Sequence, residues 1–146
     1  TIALFMMDEK DCSTVLAHRL SMVGSDGFAS SFSGVLSKGK PHPRSFGTFP
    51  RVLGKYVREE GLMTLERAIW KMTGFPAQRF GLKDRGFLRE GMAADLVVFD
   101  PLEIIDNATY KEPRQQAEGI DYVILGGEVV VDHKVYNGKT LGRSLR

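Results

Sequence analysis

The spacing of apolar residues changes near the middle of the chain, and this change restricts the fold more than any other feature. Between residues 49 and 72 apolar side chains recur every three or four positions, which predicts amphipathic helices. Beyond residue 82 they form short runs bounded by turn residues, which predicts strands. We therefore predict an α/β protein with a boundary near residues 82–89, so that residues 1–82 and 83–146 form its two parts.

Two helices are predicted in the first part, each with recognisable start and stop signals. One begins at Thr48, with Pro50 in its first turn, and stops at Gly61. The next begins at Thr64 and stops at Gly74. Their apolar faces are expected in the core and consist of Phe49, Val52, Leu53, Tyr56 and Val57 in the first helix and Leu65, Ala68, Ile69 and Met72 in the second.

Three strands are predicted in the second part. One is the apolar run at residues 96–99. The other two, at residues 120–125 and 128–132, flank Gly126 and Gly127, a two-residue sequence typical of type I′ hairpin turns. The end of the chain therefore predicts an antiparallel sheet.

A carboxylate follows a short apolar stretch near the start of the chain. Asp8 is placed to cap a helix, and residues 20–23 then predict a strand that runs into Ser25, Asp26 and Gly27. The active sites of α/β barrels lie at the carboxyl ends of their strands, where a carboxylate can act as a general base. On these residues alone a plain turn is the simpler interpretation, because Ser, Asp and Gly all favour turns.

An irregular stretch at residues 28–46 follows and contains His42, Pro43 and Arg44 near its end. Loops of this length inside a compact domain are usually functional or disordered. Pro43 fixes its own φ angle and restricts His42 to extended conformations, so Arg44 is presented rigidly. The planar guanidinium of Arg44 can bind a carboxylate through two donors. A solvated loop arginine is the alternative interpretation.

Composition excludes several classes of partner. Twenty basic and eighteen acidic residues leave a net charge of +2, too small and too scattered to predict a nucleic-acid partner. No apolar run approaches the roughly 20 residues that a membrane-spanning helix requires. Cys12 is the only cysteine, which excludes an internal disulfide and is typical of a reducing compartment, so we expect a cytoplasmic protein with no membrane partner.

Four motifs lie along the chain: Ser-Asp-Gly at 25–27, His-Pro-Arg at 42–44, Gly-Thr-Phe-Pro-Arg at 47–51 and Gly-x-x-Ala-Asp-Leu-Val-Val-x-Asp at 91–100. Together they resemble the C-terminal third of the N-acyl-D-amino-acid deacylases (D-aminoacylases), a branch of the amidohydrolase superfamily. The first three motifs are specific to the deacylase branch, whereas the last is general to amidohydrolases. The resemblance covers essentially the whole chain.

The resemblance implies a fold and a set of residue roles. The fold is a metal-dependent (β/α) TIM-like barrel, whose last strand and helices lie in residues 1–82, followed by strands of a small β-sandwich in residues 83–146. Asp26 would match the aspartate that takes a proton from metal-activated water and delivers it to the departing amine, and it is a possible metal ligand. Arg44 would match the arginine that binds the α-carboxylate of an N-acyl-D-amino acid, with the remaining substrate-binding positions at Ser25, Gly27 and His42.

Zinc is the implied cofactor, but the family's ligands have no counterpart here. These are an early His-x-His pair, a cysteine and histidines from the middle strands, and Cys12 falls too late in the chain, in a predicted helix, to be that cysteine. A complete barrel also needs about 250 residues. We therefore expect the C-terminal part of a zinc-dependent enzyme that hydrolyses N-acyl-D-amino acids, or one piece of a split enzyme, with the missing N-terminal part of the barrel as its partner.

Two other functions stay open at this point. A non-catalytic assembly or binding module would retain the amidohydrolase fold without the metal ligands. A cyclic-amide hydrolase, similar to hydantoinases and dihydroorotases, would keep the enzyme class but change the substrate. Arg44 argues against the second, because a cyclic diamide offers no free carboxylate for a guanidinium.

We expect the purified 146-residue chain to show no zinc-dependent deacylation, because it carries too few metal ligands for a zinc site. Release of free D-amino acid from N-acetyl-D-amino acids, measured with and without added zinc, tests this. Turnover by the chain alone would contradict the expectation.

Overall fold

A computed structural model of the chain describes residues 7–145. Four α-helices precede four strands, and one of the helices continues directly as a π-helix. In chain order the elements are α1 (Glu9–Ala17), a 3₁₀ turn (Val35–Ser37), α2 (Arg44–Arg51), the π-helix (Val52–Glu59), α3 (Leu65–Met72), α4 (Gly74–Phe80), β1 (Leu96–Phe99), β2 (Ile120–Leu125), β3 (Glu128–Asp132) and β4 (Val135–Tyr136).

The strands form one antiparallel sheet in the order β1-β2-β3-β4. The three predicted strands are confirmed with the predicted bounds. Gly126 and Gly127 have φ values of 58° and 85°, the left-handed conformation that a type I′ turn requires at both positions. The turn into β4 was not predicted, because it uses His133 and Lys134 at φ 42° and 72° in place of glycines.

The predicted caps of α1 and α3 are confirmed. Asp8 accepts a hydrogen bond from the Lys10 amide at 2.7 Å, and Thr64 accepts one from the Arg67 amide at 3.3 Å. Such side-chain acceptors satisfy amides that have no partner within the helix. α4 follows α3 directly, and Gly81 ends it in a left-handed conformation at φ 72°.

The helix predicted from Thr48 begins four residues earlier, at Arg44. Pro43 precedes it with φ −51° and ψ −30°, so the proline already supplies the helical backbone at the entrance. Thr48 lies inside α2, where its hydroxyl donates to the Arg44 carbonyl at 2.9 Å. Pro50 also lies inside the helix, where a proline cannot donate to the carbonyl four residues earlier, and the π-helix begins two residues later at Val52.

The core lies between the π-helix, α3 and the stretch that follows β1. Its most buried apolar residues are Val52, Leu53, Tyr56, Ala68 and Ile104. Four of them belong to the predicted apolar faces of the two helices, which confirms the helical pattern. Ile104 comes from beyond the predicted boundary, so residues on both sides of that boundary share this core.

Residues 20–23, predicted as a strand, form no strand in the part of the chain that the structure describes. A strand needs a neighbour to pair its amides and carbonyls, and all four described strands lie in the antiparallel sheet. The Val23 amide instead donates to the carbonyl of Lys71 in α3 at 3.2 Å. The barrel and the two-layered sandwich therefore stay predictions.

No helix within residues 7–145 combines the length and apolarity needed to cross a membrane. The cytoplasmic location stays a prediction.

The contact between the π-helix and the stretch after β1 depends on a glycine. A Cβ at Gly54 would lie 2.6 Å from the Ile104 carbonyl oxygen and 3.1 Å from the Ile105 Cα, too close for either to remain in place. Gly54→Ala is therefore expected to lower the free energy of unfolding by about 1–3 kcal/mol through overpacking. The gain of about 1 kcal/mol from the better helix former offsets part of this cost, so the expected net loss is up to about 2 kcal/mol. Urea unfolding followed by circular dichroism measures the difference.

The matched control is Gly142→Ala, because an added Cβ there meets no atom within 4 Å. We expect it to change the free energy of unfolding by less than about 0.5 kcal/mol. Equal stability of the two variants would contradict the close approach of Gly54 to Ile104.

Candidate functional site

Asp26 lies at the end of the extended stretch that follows α1. Its backbone is left-handed, with φ 47°, a conformation that few residues other than glycine adopt and that aspartate tolerates better than most. Next to it the Ser25 hydroxyl accepts a hydrogen bond from the Gly27 amide at 3.2 Å. The Asp26 side chain lies at the surface, where it is 85% exposed.

The Asp26 carboxylate meets the guanidinium of Arg44, with Oδ2 and Nη2 2.8 Å apart. Arg44 is the first residue of α2, and its side chain is 40% exposed. Gly27 allows this approach, because a Cβ there would lie 3.1 Å from the Cα of Ser45. The structure thus brings together the predicted catalytic carboxylate and the predicted carboxylate-binding arginine, which are 18 residues apart in the sequence.

His42 supports the position of Arg44. Its Nδ1 accepts a hydrogen bond from the Arg44 amide at 3.1 Å, so the proton of the neutral ring is on Nε2. Nε2 lies 3.1 Å from the hydroxyl of Tyr110, and the two rings meet edge to face at 5.0 Å. Burial lowers the pKa of His42, and the positive charge of Arg44 lowers it further, while Asp26 acts in the opposite direction.

A cleft of about 630 Å³ opens beside Arg44 and His42. The residues around it include apolar Phe28, Val35 and Leu36 and basic Lys38 and Lys40. The cleft therefore combines an apolar surface with positive charge next to the predicted carboxylate-binding residue.

Two residues that support this cleft were not predicted from the sequence. Tyr110 contacts His42, and the Arg114 guanidinium donates to the carbonyls of Lys38 at 3.3 Å and Gly39 at 2.8 Å. Both come from the stretch between β1 and β2, about 70 residues further along the chain. No local pattern around them indicates this contact, because it depends on tertiary packing alone.

The described residues do not form a metal site by themselves. Within residues 7–145 no group of three or more histidine, cysteine, aspartate or glutamate side chains could hold a metal ion. Cys12 lies in α1, His18 caps the end of that helix, and His133 lies in the β3–β4 turn. Zinc needs three or four protein ligands, so Asp26 can supply one of them at most.

The fold and the site define a class of protein. Residues 14–131 match the model of a family described as the amidohydrolase family, and the chain belongs to that family.

Within it the chain is similar to the deacylase branch, which confirms the resemblance noted in the sequence. It is 48% identical over 141 residues to a D-aminoacylase of Alcaligenes xylosoxydans xylosoxydans, covering 97% of this chain and 28% of that protein. It thus spans little more than a quarter of that relative.

Solved structures agree with the sequence comparison. A D-aminoacylase with a binuclear metal centre superposes with a TM-score of 0.86 at 47% identity, covering 95% of this chain and 28% of that one. The N-acyl-D-glutamate deacylase of Bordetella bronchiseptica, complexed with zinc and a phosphonate that mimics the tetrahedral intermediate, superposes with a TM-score of 0.77 at 44% identity. This superposition covers 88% of the present chain and 27% of the N-acyl-D-glutamate deacylase.

Replacing Arg44 by glutamine is expected to raise the pKa of His42, because the guanidinium disfavours a second positive charge nearby. The pKa should still stay below its usual value, since burial is the larger cause of the lowering. NMR titration of the His42 ring protons measures both effects.

The same shift affects stability. A folded-state pKa below the unfolded one means that the unfolded state binds more protons, so the contribution of His42 to stability is lost as the pH falls through the unfolded and then the folded pKa.

Lys40→Gln is the matched control for the NMR titration of Arg44→Gln, because Lys40 lines the same cleft but is not among the charges that shift the pKa of His42. A His42 pKa that moves in the control and not in Arg44→Gln would contradict the geometry.

Proposed function

We propose that the full-length protein containing this chain hydrolyses N-acyl-D-amino acids to a carboxylate and a D-amino acid. The observation that carries the proposal is the distance of 2.8 Å between the Asp26 carboxylate and the Arg44 guanidinium. In an N-acyl amino acid a single carbon atom separates the amide nitrogen from the carboxylate. A proton-transferring group for the amide and a cation for the carboxylate must therefore lie side by side, as these two residues do.

Arg44 is proposed to bind the substrate carboxylate. Its guanidinium offers two parallel donors to a carboxylate, and its pairing with the Asp26 carboxylate supports this role. The hydrogen bond from its amide to His42, and the contact of His42 with Tyr110, restrain the start of α2. Ser25 and Gly27 shape the turn beside it and are proposed as the remaining contacts of the substrate.

Asp26 is proposed to act as the general base and then as the general acid. As a base it accepts a proton from the attacking water, and as an acid it delivers a proton to the departing amine nitrogen. Hydrolysis of the amide requires both transfers, and one carboxylate close to the substrate can perform them in turn.

The remaining parts of the active site are proposed to lie outside this chain. The Asp26 side chain is 85% exposed, and residues 7–145 do not form a metal site by themselves. Of the solved relatives, the D-aminoacylase has a binuclear metal centre and the N-acyl-D-glutamate deacylase is complexed with zinc. We assign zinc to the full-length enzyme, with ligands mostly from the part of the barrel that precedes this chain. Residues 1–82 would then complete that barrel and residues 83–146 would add strands to a β-sandwich, which the TM-score of 0.86 to a D-aminoacylase supports.

Two substitutions in the full-length protein separate the two proposed roles. Asp26→Asn is expected to lower kcat by about 10²–10⁴-fold with little change in KM, because the amide cannot transfer the proton. Arg44→Gln is expected to raise KM on N-acetyl-D-amino acids, and to have less effect on substrates whose carboxylate is converted to an amide. Steady-state kinetics on both substrate types measure the difference.

Arg79→Gln is the matched control, since it removes an exposed arginine in the last turn of α4. It should leave kcat and KM unchanged. Hydrolysis of hydantoins in preference to N-acetyl-D-amino acids would favour the cyclic-amide alternative. Full activity in both Asp26→Asn and Arg44→Gln would overturn the proposed roles, and absence of any amide hydrolysis by the wild-type protein would favour a non-catalytic module.

A further inference from the structure

Lys71 is fully buried, although lysine almost never is unless it has a partner. It lies in α3, one turn from Ala68 and next to Met72 on the helix that faces the core. Among the residues that the structure describes, no carboxylate lies within ion-pair distance of its ammonium group. Burial lowers the pKa of Lys71, and the nearby Arg67 lowers it further, so its environment disfavours the charge.

Three oxygens take the three donors of the ammonium group. Nζ lies 2.6 Å from the His18 carbonyl, 2.9 Å from the Ser21 carbonyl and 2.6 Å from the Ser21 hydroxyl. All three acceptors belong to the short segment between the end of α1 and Val23. The carbonyl of Lys71 accepts from the Val23 amide at 3.2 Å, so the side chain and the backbone of one residue both hold this segment.

An apolar side chain would fill this position with less desolvation. Ala68, Trp70 and Met72 beside it on α3 are apolar, and burying an ammonium group is costly unless hydrogen bonds compensate for the lost solvation. Apolar packing alone therefore does not explain a lysine at this position. Its ammonium group donates to the main-chain carbonyls of His18 and Ser21. Within residues 7–145 the segment that contains them has no strand neighbour.

We propose that Lys71 is a positioning residue for Asp26. It fixes residues 18–23 against α3 and thereby sets where the following turn, Ser25 to Gly27, presents the Asp26 carboxylate to the substrate. Val23 is three residues from Asp26, so a displacement of this segment moves the carboxylate directly. The inference rests on the proposed function of Asp26 and adds a residue that does not itself touch the substrate.

Lys71→Met in the full-length protein tests the proposal, because methionine keeps the length and removes the three donors. We expect kcat to fall on the order of 10- to 100-fold, the effect of a misplaced catalytic group, with KM nearly unchanged because Arg44 is untouched. Amide hydrogen exchange of residues 20–26, followed by mass spectrometry, should become faster. In an Asp26→Asn background Lys71→Met should lower kcat no further, whereas a merely structural residue would lower it in both backgrounds.

Two further variants keep the test decisive if Lys71→Met does not fold. Ser21→Ala removes one of the three acceptors and should give a smaller fall in kcat with the same pattern of exchange. Lys55→Met is the matched control, because this lysine of the π-helix pairs with Glu9 at a different place. It should leave kcat and exchange of residues 20–26 unchanged.

Two results would overturn the inference. One is unchanged kcat and unchanged exchange in Lys71→Met and Ser21→Ala, and the other is an equal fall in kcat in Lys55→Met. If instead Asp26→Asn alone keeps full kcat, the proposed role of Asp26 fails first, so failure of the proposed function is distinguishable from failure of the positioning role.

Discussion

The contact between the π-helix and the stretch after β1 is the constraint on which the rest of the structure depends. Ile104 is 2% exposed within a core formed mainly by helical residues, and its carbonyl accepts a hydrogen bond from Arg58 at 2.5 Å. Gly54 lets the two backbones approach this closely. Once Ile104 is fixed, the stretch that follows it runs beside α2, where Asp106 lies 3.7 Å from Arg51. The same stretch then reaches the loop before α2 through Tyr110.

The candidate site is consequently supported from two directions. The start of α2 is held by His42 and Tyr110, and the turn at Asp26 follows a segment held by Lys71. The pair between Asp26 and Arg44 is exposed, and exposed ion pairs contribute about 0–1 kcal/mol or nothing measurable. The scaffold, and not the mutual attraction, therefore places the two groups together. A pair this weak leaves the guanidinium open to a competing carboxylate, as the proposed binding of the substrate carboxylate requires.

Most of the fold is predictable where the signals are local. The caps at Asp8 and Thr64 and the Gly126-Gly127 turn act within a few residues, so spacing identifies them. The predicted strand at 20–23 is wrong for the described chain because a strand exists only with a neighbour. Lys71 escapes prediction for a related reason, since a lysine in an amphipathic pattern normally indicates the solvated face. Its burial depends on acceptors 50 residues earlier.

The candidate site shows the same division between local and distant information. Asp26 and Arg44 are recognisable from short motifs, yet nothing in those motifs shows that their side chains are 2.8 Å apart. The two backbones also approach closely at Gly27 and Ser45, a contact that exists only in the folded chain. Under the proposed function, one part of the enzyme carries the proton-transferring carboxylate and the carboxylate-binding arginine, while the metal ligands lie elsewhere. Substrate selection at the cleft beside Arg44 could then vary without disturbing the metal ligands.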